Sequence, residues 1–433
     1  MIFKLINFFL KPFKDLLTDS SLTLGTVFFS ILVILLPVAL ITGPAIPDVF
    51  LSILALYFLI FSIIKKLWHY YLNPIFIGTI VFCVYGILRS YFSEYPVESL
   101  TNEGSVFYFR YIFFSTTIWY LLENNPYLSK CLLNIILICL FIVITDGIYQ
   151  YFNEVNLFGN EKYDINRLTG LFGDEPIIGR YISYMAIFAF FLIYQIFKLN
   201  SLTIILSVFL LIAAEVTVFL TGERAPLFNI ALFSIFLLIF VPSFRIYRVI
   251  GVFISIFIIF IITIFNPISK ERVFVQTINE ISETHLPFLP YTELHEQHYV
   301  AALKMFKERP LVGVGTNLFR YQCEKEKYRY KDRSCTSHPH NYYFQLLAEL
   351  GLLGFLFLVC FFIYLSFKML KQFWYLLKSN SKMLIKFDNF LLIIIPFIFY
   401  WPLIPHMSFY NNWNNIFIML PIGYLLRFFY GKR

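Results

Sequence analysis

"HPHNYYFQLLAELGLLGFLFLVCFFIYL", residues 338–365, joins two histidines and an asparagine to an apolar run whose only charge is Glu349. A surface helix of a soluble protein keeps a polar face along its whole length, and this run shows none beyond Glu349. About 20 consecutive apolar residues are what a helix needs to cross a bilayer. Read as a span over 341–366, the stretch decides the class of the protein, provided that it does not stand alone.

It has company throughout the chain. Of the 433 residues 59% are hydrophobic and only 14% charged, where a soluble domain carries about 25% charged residues. Further apolar runs lie at about 22–41, 46–64, 73–92, 105–122, 131–152, 176–197, 201–220, 226–242, 248–266, 388–407 and 412–430. Pro and Gly punctuate the short connections, as in "TGPAIP" (42–47) and "TGERAP" (221–226). The expected fold is all-α, a polytopic membrane protein of about 12 transmembrane helices. Its 54 Phe and 30 Tyr are too widespread to mark a site and suit lipid-facing surface and interfacial belts. The N-terminus, "MIFKLINFFLKPFKDLLTDSS", has no uninterrupted apolar core or cleavage site, so it reads as an interfacial amphipathic helix.

Orientation follows from Lys and Arg near span ends. With the N-terminus inside, 17 of the 34 basic residues fall at the cytoplasmic side and six at the short outer loops, the other 11 lying in one long outer loop. The positive-inside rule exempts long loops, so the count favours both termini inside. The chain divides into a cytoplasmic amphipathic N-terminus (1–21), nine transmembrane helices (22–266), a large periplasmic loop with short helices (267–340), and three transmembrane helices with a cytoplasmic C-terminus (341–433). The net charge of +8 then reflects topology, and no nucleic acid is called for; membrane lipids are the constant partner.

Within the large loop, "TELHEQHYVAALKMFKERP" (292–310) reads as a short amphipathic helix lying on the membrane through Leu294, Ala301, Leu303 and Phe306. Cys83, Cys131, Cys139 and Cys360 fall in spans, where free thiols pack as small hydrophobes. Cys323 and Cys335 are the two outside, and an oxidising compartment suits a disulfide between them.

Charges within or beside spans are candidates for function because desolvating them is costly. Here they are Arg110, Asp146, Arg180, Glu215, Arg224 and Glu349. Arg180 in "GDEPIIGRYISY", Arg224 in "TGERAP", and His338 with His340 share one depth at the outer face, though they come from three regions of the chain. Two guanidiniums there suit the oxygens of a lipid-linked diphosphate, which Arg meets bidentately. The plainer alternative is that each Arg snorkels or pairs with Asp174, Glu175 or Glu223. His340 precedes a helix that Asn341 can cap, and the positive end of a helix and nearby arginines both hold an imidazole neutral, as a general base requires. "HEQH" (295–298) is one residue short of a zinc-protease motif, no D-x-D stands outside the membrane, and no Walker, G-x-S-x-G or dinucleotide motif occurs. No metal and no cofactor is expected.

These residues resemble the O-antigen ligase family. His340-Asn341, nine residues "YYFQLLAEL", then Gly351-Leu352-Leu353-Gly354 match its signature, and "ERPLVGVG" (308–315) looks like its lead-in. The resemblance implies a metal-independent, inverting glycosyltransferase of the type C arrangement in the bacterial inner membrane, with its active site facing the periplasm. His340 would deprotonate a sugar hydroxyl, with His338 a second candidate base. Arg180 and Arg224 would hold the diphosphate of an undecaprenyl-linked glycan, Arg309 of the lead-in being a third candidate. Asn341, Glu349 and Asp174 would support them. Glu349, about half a turn around the helix from His340, should pair with another span rather than orient the base. The expected acceptor is lipid A–core. Polymerisation of lipid-linked repeats and transfer to protein hydroxyls are alternatives. A transporter or flippase should show internal repeats or broken midplane helices, and no repeat is visible.

Overall fold

In the computed structural model, residues 2–101, 105–164, 167–197, 200–265, 275–276, 278–279, 292–378 and 385–431 are described. The helices are α1 (Ile2–Thr18), α2 (Leu24–Ala39), α3 (Ala45–Ile64), α4 (Pro74–Tyr91), α5 (Pro96–Thr101), α6 (Arg110–Asn124), α7 (Leu128–Asn153) and α8 (Ile178–Phe197). They continue as α9 (Ser201–Leu220), α10 (Arg224–Phe240), α11 (Arg245–Phe265), α12 (Glu293–Glu308), α13 (Phe319–Gln322), α14 (Tyr342–Lys378), α15 (Phe387–Phe399) and α16 (Asn412–Tyr430). Each apolar run read from the sequence holds one of them. Lys198, Lys382, Lys432, Arg433 and much of the first half of the large loop lie outside the described residues.

Among the described residues seven helices are long and apolar enough to cross a membrane: α3, α4, α7, α8, α9, α11 and α14. Of the other expected spans, α2, α10 and α15 are apolar but shorter, and α6 and α16 meet neither description. Length and composition therefore do not give twelve. The reason is visible in where α6 and α16 sit. They pack on each other inside the bundle, where protein rather than lipid surrounds them. A Cβ on Gly423 of α16 would lie 2.5 Å from the Ile118 Cβ of α6, and Ser115 Oγ donates to Met419 O at 2.7 Å. Every residue from Trp413 to Leu426 is buried, so Asn414 and Asn415 reside in a stretch of helix enclosed by protein.

At the opposite extreme α11 buries only Arg248, Gly251 and Ser255. Arg248, one of the 17 basic residues that the orientation count puts at the cytoplasmic side, is wholly buried and paired with Glu215 of α9. Ser234 of α10 donates to the same carboxylate at 3.0 Å and Ser255 of α11 at 2.6 Å. A charge inside apolar surroundings is tolerated only when paired, and this pair ties α9, α10 and α11 together.

α14 is longer than the run of 341–366 and is broken: Gly351 takes φ 64°, ψ −161°. The starts of α6, α10, α14 and α16 gather at one end of the bundle together with α12 and α13. That end carries the site.

Candidate active site

A backbone crossing underlies the site. Because Gly351 interrupts α14, the carbonyls of Ala348 and Glu349 are free to accept from Val314 N (2.9 Å) and Gly315 N (2.8 Å), and Leu352 N donates to Pro310 O at 2.8 Å. The lead-in and the break thus lie side by side, each satisfying polar groups that the other exposes. Only glycines permit the approach. A Cβ on Gly313 would sit 2.3 Å from the Glu349 carbonyl carbon, and one on Gly351 2.4 Å from that of Leu311. Arg89 of α4 donates to Gly313 O through Nε (3.1 Å) and Nη2 (2.8 Å), and Tyr85 OH donates to Leu350 O at 2.7 Å. Glu349 accepts from Asn317 N and Phe319 N at 3.0 Å each and from Gln345 Nε2 at 3.3 Å. Its partners are the loop backbone, its own helix and Tyr410 just before α16, so Glu349 fastens the large loop to α14.

On this frame α12 docks against α14. Tyr299 stacks on Phe344 with ring centroids 4.3 Å apart, and Ala301, Ala302 and Met305 share a small core with Leu318, Phe319 and Ala348. The buried face runs through His298, Tyr299, Ala301, Ala302 and Met305, while Leu294 is exposed. Of the face expected to lie on the membrane, Ala301 packs on protein instead, alanines at 301 and 302 letting the helix seat on α14. Cys323 and Cys335 form a disulfide within the same layer.

The docking brings α12 histidines to the loop histidines. Asn341 Oδ1 caps α14 by accepting from Tyr343 N (2.9 Å), and its amide donates to Pro402 O (2.9 Å). Just before it His340 takes φ 56°, a left-handed conformation costly for a side chain with a Cβ. Its carbonyl accepts from His406 N at 2.7 Å. Around the His340 ring lie His338 at 4.2 Å, His298 at 5.4 Å and His295 at 5.7 Å between centroids. His406 stacks on Tyr342 at 4.1 Å. Burial, then the Arg180 charge, pushes the His340 imidazole down to about 4. Burial, then neighbouring His340, lowers His298 to about 4 and His295 to about 3, and carries His338 well below its ordinary value. All four are neutral at neutral pH. The chief cause is burial.

Arg180 and Arg224 reach this cluster through a second close approach. Gly179 N donates to Glu223 Oε1 at 2.5 Å, and a Cβ on Gly179 would lie 2.6 Å from Thr221 Oγ1. The first turn of α8, which carries Arg180, therefore rests on the turn before α10, a helix whose first residue is Arg224. The Arg180 charge bears on His338, His340 and His406, and that of Arg224 on His295. Among the described residues Arg180 forms no ion pair within 4 Å, and its Nε is buried without a hydrogen-bond partner. Burial raises the Glu223 carboxyl to about 7 against the pull of Arg180. Asp174 is exposed and pairs with neither arginine. Arg309 is exposed and its charge bears on Arg89 and Glu308; it stands at the glycine crossing, away from the histidines.

Sequence reasoning missed His295, His298, His406, Arg89 and Arg320, whose charge bears on His338. "HEQH" was the available signal, set aside because its spacing fits no metal motif. Among the described residues no group of three or more His, Cys, Asp or Glu is arranged to hold a metal ion. Chemically the arrangement offers neutral imidazoles beside two guanidiniums: a proton acceptor next to an anion cradle.

No curated protein matches the chain. Residues 206–359 match the family model described as O-antigen ligase, a stretch running from α9 into α14 that takes in Arg224, the four clustered histidines and the glycine crossing. That match, which covers less than half of the chain, supports an O-antigen ligase-family assignment.

Proposed function

We propose that this protein transfers a polysaccharide from an undecaprenyl-diphosphate carrier to a sugar hydroxyl of lipid A–core, at the periplasmic face of the bacterial inner membrane, with both termini in the cytoplasm. The observation that carries the reading is the convergence of Arg180, Arg224 and the strained His340 at one end of the bundle. In the reaction the acceptor hydroxyl gives its proton to the His340 imidazole, and its oxygen attacks the anomeric carbon opposite the diphosphate. The bond from that carbon to the diphosphate oxygen breaks with inversion, and undecaprenyl diphosphate leaves with the electron pair. Arg180 and Arg224 balance the charge of that leaving group, which needs no proton, so the step calls for neither a metal nor a general acid. His338 stands close enough to serve as a relay. Asn341 and Glu349 position the base through the cap and the crossing.

Deleting the gene and comparing surface polysaccharide with the lipid-linked pool tests the reading. Ligation predicts long lipid-linked chains and bare core in the mutant. Core capped by single repeats would show polymerisation instead, and unchanged profiles would end both.

A further inference from the structure

Two cavities away from the histidines meet at one residue. The first, about 250 Å³, lies at the same end of the bundle between the starts of α3, α6 and α16. Arg110 pairs there with Asp48, Nη2 to Oδ1 at 2.8 Å, and donates to Asn412 Oδ1 at 2.6 Å. Phe107, 49% exposed, stands among the lining residues. The second cavity, about 360 Å³, runs between α4, α6, α14 and α16 and is lined mainly by Ile, Phe, Tyr, Leu and Met side chains. Tyr108 lines both.

We infer that the pair forms one binding site for the acceptor, a membrane glycolipid whose sugar occupies the upper cavity and whose acyl chain occupies the lower; this rests on the transferase reading above. The upper cavity already neutralises its own charges, so it suits a hydroxyl-rich neutral ligand rather than a phosphate. Carboxylate and guanidinium side by side offer an acceptor and donors to adjacent hydroxyls, and aromatic rings offer faces to a sugar. The lower cavity reaches the lipid-facing surface, because Cys360 in its lining is exposed, so a chain can enter from the bilayer. Bilayer and cavity are equally apolar, which leaves selection to the sugar contacts.

The position favours acceptor over donor. Arg180 and Arg224 belong to α8 and α10, on one flank of the histidines. From His406 the ring contacts lead the other way: Tyr342 at 4.1 Å, Phe409 at 5.6 Å and Tyr108 at 5.2 Å. The transferred bond and the cavity are therefore separated by more than one ring, and the cavity takes a sugar remote from the reacting hydroxyl.

Gly78 provides a probe that does not threaten the fold. It lines the lower cavity, sits in the second turn of α4, and a Cβ there meets nothing within 4 Å. In nanodiscs, Gly78→Leu and Asn412→Ala are each expected to raise the acceptor KM about tenfold while leaving the donor KM unchanged, a loss of ground-state binding. Unchanged acceptor KM in both variants, or a raised donor KM, overturns the proposal. A second measurement needs no catalysis: maleimide labelling of Cys360 in His340→Ala protein. Rough lipopolysaccharide, which carries core sugars without polymer, should slow labelling severalfold, and Asn412→Ala should abolish that protection. Equal protection by phosphatidylglycerol alone overturns the glycolipid assignment, and protection by undecaprenyl diphosphate alone overturns the acceptor assignment. Protection in a protein that proves to transfer nothing would reject the transferase reading while keeping the site.

Discussion

His340 is held neutral by burial and by Arg180, and this fixes the sign of its pH dependence. In the proposed reaction the base works as the unprotonated imidazole, so activity is expected above the imidazole's midpoint and should be lost as pH falls through it. In kcat/KM, which reports the free enzyme, the acid limb should lie near 4. A limb near the ordinary histidine value would show a solvated ring. Arg180→Lys keeps the charge but loses the planar fork, and losing a charged hydrogen bond costs about 2 kcal/mol, roughly thirtyfold in kcat/KM. Wild-type kinetics in that variant would remove Arg180 from the donor site. At this scale the sequence was informative about His340, Asn341 and the two arginines, because a cap, a signature spacing and isolated charges in apolar runs are local signals. His298 and His406 were hidden, since only tertiary packing brings α12 and the 400–411 loop to His340.

Among the elements, α14 and the 310–315 lead-in depend on two glycines. Gly351→Ala adds a Cβ at φ 64° and 2.4 Å from the Leu311 carbonyl carbon, so both strain and overlap oppose it. The variant should lose activity and expose the loop, measured as faster proteolysis between α12 and α14. Normal activity and protease resistance would show that the crossing is dispensable. Arg248→Ala leaves the Glu215 carboxylate buried without its cation, and breaking such a pair costs about 3–5 kcal/mol. A large fall in thermal stability in detergent is expected, with partial recovery in Arg248→Met/Glu215→Leu. An unaltered melting temperature in the single variant would contradict the clamp. The helices themselves were legible from apolar runs. The break at Gly351 was not, because a GxxG in an apolar helix reads equally well as close helix packing.

For the whole molecule, the bundle divides labour by flank. α8 and α10 bring the arginines, α12 and the start of α14 bring the histidines, and α3, α6 and α16 stand opposite. Composition announced a polytopic helical membrane protein, yet α6 and α16 fall outside a length-and-hydropathy description because they are sheltered by other helices. Assembly around a polar interior is a property of the packed bundle and leaves little trace in any one segment. The most direct test of the central claim is reconstitution: purified protein in nanodiscs with undecaprenyl-diphosphate polysaccharide and lipid A–core, followed by resolving the products. Polysaccharide joined to lipid A–core is expected from the wild-type chain, and a rate lower by about 10²–10⁴ in His340→Ala with donor binding intact. Transfer by His340→Ala at the wild-type rate, or wild-type protein that joins lipid-linked repeats and leaves lipid A–core untouched, would contradict that claim.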